Sequence, residues 1–325
     1  MLAAPDKFRG TATAREVAEA VCRAAEQAGD RCERLPLSDG GEGLLDAFGG
    51  ANRSTVVPGP HGTPVTADWR LDGDFAVIES AQANGLVLAG GAERNDPLAA
   101  TSAGVGELIA AAIESGARRV LVGLGGSATT DGGLPVVRAL AHLAPLDGRA
   151  GRPLVEACCD VRTSFLDAAR VFGPQKGATP ELIRQLTDRL QQLAAQYRDQ
   201  FNLDVTSIPG SGAAGGLGGA FAVLGAKLVP GFDTIAEHLG LADSLARCDR
   251  VVTGEGKVDE SSFAGKVIGG VAELAAAQGK PVLIVAGVVE TEHADVVSLT
   301  ERFGAERSRR DTTTCIEQVV AEWLR

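Results

Sequence analysis

The chain has 325 residues, more than one small core needs, so two domains are expected. Its 45% hydrophobic and 22% charged residues are those of an ordinary globular protein, and no stretch approaches the roughly 18 apolar residues of a membrane span. A net charge of −11 and an aromatic content of 4% argue against nucleic-acid binding, since cations for phosphates and rings for bases are both scarce.

Ala3–Gly10 reads as a short strand ending in a loop with Asp6, Lys7 and Arg9. Thr13 and Glu16 form a capping-box signature before a helical stripe of Val17, Ala20, Val21, Ala24 and Ala28, and Gly29 closes it. Leu35–Gly43, LPLSDGGEG, repeats the arrangement with Asp39 and Glu42 among glycines. Carboxylates this close can share a magnesium ion or act as acid and base; the same pair also suits capping of the next helix. Residues 50–75 lose periodicity and gather Pro58, Gly59, Pro60, Gly62 and Pro64, which predicts turns and a domain crossing near residue 60. A strand is expected at Phe75–Glu79, a turn at Asn84-Gly85, and a helix from Ser102 to Gly116.

Val120–Gly133, VLVGLGGSATTDGG, is the stretch around which the rest is arranged. Val120–Val122 reads as a buried strand, and Leu134, Val137 and Leu140 sit at helical spacing beyond the loop. Such a strand-loop-helix suits an anion: Gly125 and Gly126 allow close approach, Ser127, Thr129 and Thr130 add hydroxyls, and the helix start adds N–H groups. Asp131 adds a carboxylate that can hold a metal or take a proton. Glycines in a strand-to-helix turn also have a purely conformational explanation.

Further along, a strand is expected at Leu154–Asp160, ending on Asp160, then a loop VFGPQKGA carrying Lys176. Thr179-Pro180-Glu181 starts a long amphipathic helix through Leu182, Leu186, Leu190, Leu193 and Tyr197. Gly210–Gly219, GSGAAGGLGG, includes Gly212 and suits either tight packing or approach to a ligand. Val251–Asp259, VVTGEGKVD, places Glu255, Lys257 and Asp259 at another strand end, with Lys266 beyond, and Pro281–Gly287 is a fully apolar strand. Strands and helices alternate at both ends of the chain, the pattern of parallel α/β layers, whose ligands gather at the carboxyl ends of strands. Asp6, Asp39, Asp131 and Glu255 all follow expected strands, so one crevice could collect them.

Six cysteines, Cys22, Cys32, Cys158, Cys159, Cys248 and Cys315, form no CxxC pair and are expected as buried free thiols. The four histidines, His61, His142, His238 and His293, lack metal-ligand spacing. MLAAPDKFRG carries no basic-then-apolar targeting pattern, so a cytoplasmic location is expected. No GxxxxGK[ST] sequence occurs. Gly123, Gly125 and Ala128 fit G-x-G-x-x-A, with Asp147 as a candidate ribose-binding acid, and keep an NAD(P)-dependent oxidoreductase in view.

The loops APDKFRG, PLSDGGEG, IESAQANGL, NDPLAATSAGVGEL, GLGGSATTDGG, Cys159-Asp160-Val161, VFGPQKGA, GSGAAGGLGGA and VTGEGKVDE with Gly265-Lys266 resemble, in order, those of the bacterial glycerate kinase family. The resemblance implies two α/β domains, one flavodoxin-like (a Rossmann-like parallel sheet) and built from both chain ends, the other from the middle, with the active site in the cleft between them. The boundaries expected are 1–60 with 236–325, and 61–235. It also implies an ATP- and Mg²⁺-dependent kinase that phosphorylates D-glycerate, usually to 2-phosphoglycerate. A homodimer is the one assembly to consider, with no nucleic-acid or membrane partner.

On that reading Asp39 is the base or a metal ligand, Asp131 its competitor, and Lys7 and Arg9 hold the substrate carboxylate or the transferring charge. Gly125, Gly126, Ser127 and Thr129 would meet ATP phosphates. Asp6, Glu42, Lys176, Gly212, Glu255, Lys257 and Lys266 complete the binding set, and Asp160 and Asp259 join Asp39 as candidate Mg²⁺ ligands. The chain departs from the family at Leu44 and Val105, at Lys7 and Arg9, in a short link between Leu140 and Leu154, and in Arg162–Arg170. Those trimmed segments leave two alternatives, a kinase for a related hydroxy acid and a catalytically weakened small-molecule-binding protein.

Overall fold

The computed structural model describes residues 1–263, 265–290 and 296–325, so His293 lies outside the described residues. Along the chain the strands are β1 (Leu2–Ala3), β2 (Glu33–Arg34), β3 (Arg53–Pro58), β4 (Pro64–Asp72), β5 (Phe75–Glu79), β6 (Arg119–Gly123), β7 (Leu154–Cys158), β8 (Lys227–Val229), β9 (Val251–Val258), β10 (Val282–Val289) and β11 (Val296–Ser298). They divide between two compact units. The first comprises Met1–Asp39, Asp46–Gly49 and Pro230–Arg325, and the second Gly40–Leu45 and Gly50–Val229.

The first unit holds a parallel sheet in the order β11-β10-β9-β1-β2. Taken in the unit's own strand sequence this is 2-1-3-4-5, the flavodoxin-like order, whose reversal falls between β1 and β9. Strand periodicity sends Leu2 and Ala3 to opposite faces, and each anchors a different core. Ala3 packs with Val17, Val21 and Ala24 of helix Ala14–Gln27 and with Ile316, Val319 and Val320 of helix Thr312–Trp323. Leu2 packs with Phe232, Leu245 and Val271. Each such large aliphatic side chain, fully buried, contributes about 1.5–3 kcal/mol. The capping box at Thr13 is formed, its side chain accepting from the Glu16 N–H while the Glu16 carboxylate accepts from the Thr13 N–H.

Cys22 and Cys32 are not the free thiols the sequence reading expects. Cys22 lies buried on the helix, the chain reverses at Gly29, and Cys32 returns beside it to a Cα–Cα distance of 5.2 Å, where the two are joined as a disulfide. Among the described residues the other four cysteines form no disulfide; Cys158, Cys248 and Cys315 are buried as expected, while Cys159 is only half-buried.

The second unit holds a sheet in the order β3-β4-β5-β6-β7-β8, antiparallel across β3, β4 and β5 and parallel beyond. Residues 53–72 form a hairpin, where the sequence reading expects turns. The prolines and glycines that suggested turns are confined to its tip, while Val57, Ala67 and Trp69 are buried along its strands. β3 therefore belongs to the second unit, and the chain changes units before Gly50 and again at Pro230, away from the positions near 60 and 235. The expected helix from Thr179 runs Pro180–Phe201, with Leu186, Leu190, Leu193 and Tyr197 buried. Among the described residues no helix is long and apolar enough to cross a membrane.

Candidate active site

In the first unit a cavity of about 410 Å³ opens where the sheet order reverses, lined by Asp6, Lys7, Arg9, Asp39, Glu255, Lys257, Asp259, Lys266 and Arg309 among others. Topology explains the gathering: Asp6 follows β1, Asp39 follows β2, Glu255 lies in the last half of β9, and Asp259 follows it. Asp6 is pinned by its N–H on the Gly254 carbonyl at 2.9 Å. Its Oδ1 accepts the Lys7 N–H at 2.7 Å and faces Lys7 Nζ at 3.5 Å. Burial pushes the Asp6 carboxyl up to about 6, the charge of Asp39 adds to the rise, and Lys7 opposes it. Burial also raises Glu255, with Asp6 and Asp39 adding to it and Ser262 and Lys266 opposing. One Glu255 oxygen, Oε1, is buried without a hydrogen-bond partner among the described residues.

The cations of this pocket differ in what already holds them. Lys266 Nζ donates to Ser261 Oγ at 2.8 Å, and exposed Lys257 pairs with Glu290 at 2.8 Å. Asp259 accepts from the Ser261 N–H and hydroxyl at 2.8 and 2.5 Å, which hold its carboxyl below the usual range. Arg9 is exposed at the rim.

In the second unit the loop after β6 is built differently. Lys176 is only 3% exposed, and its Nζ donates to Ser127 Oγ at 3.0 Å and to the Thr129 carbonyl at 2.7 Å. Burial lowers its pKa to about 7, against the pull of Asp131. Asn95 Nδ2 donates to the carbonyls of Ala128 and Lys176, and Asn84 Nδ2 to Thr129 Oγ1. Asp131 Oδ2 accepts from the Ser102 N–H and hydroxyl at 2.7 and 2.9 Å, and Oδ1 accepts from the Gly133 N–H at 3.0 Å. Burial raises the Asp131 carboxyl despite these donors. The helix beyond runs only from Leu134 to Leu140 and starts after Gly133, so its N-terminus is separated from Gly125 and Gly126 by the locked segment.

The glycine-dense stretch packs against this loop. Gly215 has φ +71°, and a Cβ there would stand 2.0 Å from the Thr129 carbonyl oxygen, so only glycine fits. Gly212 is buried and donates its N–H to Thr163. Glu42 is exposed and adds a negative charge beside buried Glu79, which accepts the Leu45 N–H. Asp160 is exposed beyond β7. The sequence therefore brings Asp6, Lys7, Arg9, Asp39, Glu255, Lys257, Asp259 and Lys266 to one pocket, and Ser127, Thr129, Asp131 and Lys176 to one internal network. The residues tying that network, Asn84, Asn95 and Ser102, read in sequence only as turn, loop and helix start. Their partners lie 29 to 81 positions away.

A dinucleotide fingerprint needs the glycines to open directly onto a helix. Here the helix begins at Leu134, and Asp147 spends a carboxylate oxygen on the Arg149 N–H, so the geometry offers that alternative no site.

A pocket with paired acids and cations at strand ends is equipment for moving a phosphoryl group, where positioning and charge neutralisation do most of the catalysis. The sequence profile of the glycerate kinase family matches residues 1–147 and 141–323. The chain is 38% identical over 320 residues to the glycerate 2-kinase of Escherichia coli K12, covering 87% of this chain and 84% of that one. It is 35% identical over 320 residues to a glycerate kinase of Halalkalibacterium halodurans, with the same coverage of 87% and 84%. A crystal structure provisionally assigned as glycerate kinase 2 of Salmonella typhimurium LT2 superposes with a TM-score of 0.83 at 34% identity, over 99% of this chain and 97% of the other. The chain belongs to the glycerate kinase family.

Proposed function

We propose that this protein transfers the γ-phosphoryl group of ATP to the 2-hydroxyl of D-glycerate with the help of Mg²⁺, using the strand-end pocket of the first unit. It is a phosphotransferase with an alcohol group as acceptor. The observation that carries the site assignment is the convergence of Asp6, Asp39 and Glu255 with Lys7 and Lys266 at the reversal of the sheet. Phosphorylation at the 2-position is supported by the Escherichia coli relative, a glycerate 2-kinase. A cytoplasmic compartment goes with this reading.

The pocket suits a hard divalent cation. Glu255 Oε1 is a buried oxygen without a partner among the described residues, and the charge of Asp39 raises the proton affinity of both Asp6 and Glu255, a repulsion that a bound cation relieves. Among the described residues no three acidic, histidine or cysteine side chains form a ready-made cage, and Mg²⁺ does not require one, because it commonly binds one or two carboxylates together with substrate phosphates. Asp39 and Asp259 are the pocket's remaining candidate ligands; when bound, the ion neutralises charge on the phosphates.

In the reaction the glycerate hydroxyl oxygen bonds to the γ-phosphorus, the bond from that phosphorus to the β-phosphate oxygen breaks, and Asp39 accepts the hydroxyl proton. Lys7, Arg9 and Lys266 offset the negative charge of phosphate and carboxylate. Asp131, whose oxygens already accept three donors, holds the second unit's loop in shape.

The test is incubation with ATP, Mg²⁺ and D-glycerate, with ADP release followed and the product identified by NMR. The expected product is 2-phosphoglycerate. Formation of 3-phosphoglycerate overturns the regiochemistry, and no turnover on D-glycerate overturns the substrate.

A further inference from the structure

We infer that Arg309 is an anion-binding residue of the first unit's pocket, presenting its guanidinium to the carboxylate of the acceptor or to the phosphates of the donor. The inference rests on the pocket being the kinase site and adds to it a residue outside every loop that carries the family resemblance, the last of which ends at Lys266.

Both substrates are anions, while the pocket wall carries Asp6, Asp39, Glu255 and Asp259 in a protein of net charge −11. Its lysines are already engaged, Lys7 beside Asp6, Lys257 on Glu290 and Lys266 on Ser261. Arg309 lines the same cavity, and its side chain has no hydrogen-bond or ion-pair partner among the described residues. An exposed arginine is ordinarily a solvated surface group. The arginines around this one show the contrast, since Arg302 is committed to Glu322, Arg307 to Gln318 and Arg310 to Asp311.

The backbone under Arg309 is also fixed. Ser308, 4% exposed, hydrogen-bonds through Oγ to the Ala305 carbonyl at 3.2 Å and shares a hydrogen bond of 3.1 Å with Thr300 Oγ1. Thr300 Oγ1 in turn is 2.7 Å from the Gly287 carbonyl of β10, and Thr312 Oγ1 donates to the Ser308 carbonyl at 2.6 Å. The residues on either side are thus tied to the sheet end and to the following helix, while the guanidinium is left free to meet a ligand. Its planar fork matches a carboxylate or phosphate in two parallel hydrogen bonds.

Steady-state kinetics with ATP, Mg²⁺ and D-glycerate tests this on Arg309→Gln, Arg309→Lys, Arg310→Gln and Lys7→Ala. Arg309→Gln should raise one substrate's KM about 10- to 100-fold, the loss of a charge-assisted pair, while kcat stays within about threefold. A rise for glycerate identifies the carboxylate as the partner, and a rise for ATP identifies the phosphates. Arg309→Lys should recover part of the loss, Arg310→Gln none being lost, and the melting temperature of Arg309→Gln should equal that of the native protein. If Arg309→Gln leaves both KM values within twofold while Lys7→Ala impairs the enzyme, Arg309 is a solvated surface residue and the inference fails alone. If Lys7→Ala is also without effect in an active enzyme, the pocket assignment fails with it.

Discussion

The pocket of the first unit and the loop of the second use similar residues in opposite ways. In the pocket, carboxylates and cations line open space, and Glu255 keeps an oxygen without a partner among the described residues. In the loop, Lys176 is spent on the Ser127 hydroxyl and the Thr129 carbonyl, and Asp131 on Ser102 and Gly133, inside the protein, with Asn84 Oδ1 and Thr130 Oγ1 the polar atoms beside them that have no partner among the described residues. Polar groups whose capacity is unspent can bind a ligand, and those already satisfied hold a shape. Residue type alone does not distinguish the two.

The sharpest way to break this comparison is to exchange carboxylate for amide in each region. Asp39→Asn should lower kcat by about 10²-fold or more with little change in melting, as expected for a lost general base. Asp131→Asn should do the reverse: an amide nitrogen set against the Ser102 or Gly133 donors costs about 1–3 kcal/mol of stability, read by denaturant titration, with kcat falling less than tenfold. Equal kcat losses without a change in stability would place Asp131 among the reacting groups.

Gly215→Ala probes the packing on which the loop rests. A left-handed alanine whose Cβ meets the Thr129 carbonyl should cost about 2 kcal/mol or more, measured by the same titration. A neutral result would show that the contact relaxes freely.

The two regions should also bend the pH profile of stability in opposite senses. Asp6, raised from 3.8 to about 6, keeps its proton in the folded state after the unfolded chain has lost it, so its contribution falls as pH rises between those values. Lys176, lowered from 10.5 to about 7, gives up its proton first in the folded state, so its contribution grows as pH rises from about 7 towards 10.5. Chemical denaturation across pH should lose the first slope in Asp6→Asn and the second in Lys176→Met; an unchanged difference between wild type and variant across the window refutes the assignment. The smallest effect belongs to the exposed Lys257–Glu290 pair, where Glu290→Gln should leave the melting temperature unchanged.

How much of this was legible depended on sequence distance. The capping box at Thr13 is written within four residues and formed as expected, and the parallel α/β character followed from alternating strand and helix patterns. Asp6, Lys7, Asp39, Glu255 and Asp259 were visible because they sit at or beyond the end of a strand, and the topology brings strand ends together. The hairpin at residues 53–72 was missed because its tip residues outweighed a short alternation of buried positions. The enclosure of Lys176 could not be read, because Asn95 and Ser127, which bind it, are far away in the chain. Arg309 looked like one basic residue in a run, and only the commitments of its neighbours set it apart.

The placement of β1 between β2 and β9 bears on how the chain is made. Leu2 and Ala3 pair with Val251 and Val252, so β1 waits for a partner strand synthesised roughly 250 positions later. At about 5–20 residues per second that delay is on the order of ten to fifty seconds. The second unit, contiguous from Gly50 to Val229 apart from its short Gly40–Leu45 segment, can be complete before β9 emerges. The half of the protein that carries the pocket is therefore the last to close, and a nascent chain stopped short of β9 has its acids and lysines but no sheet on which to assemble them.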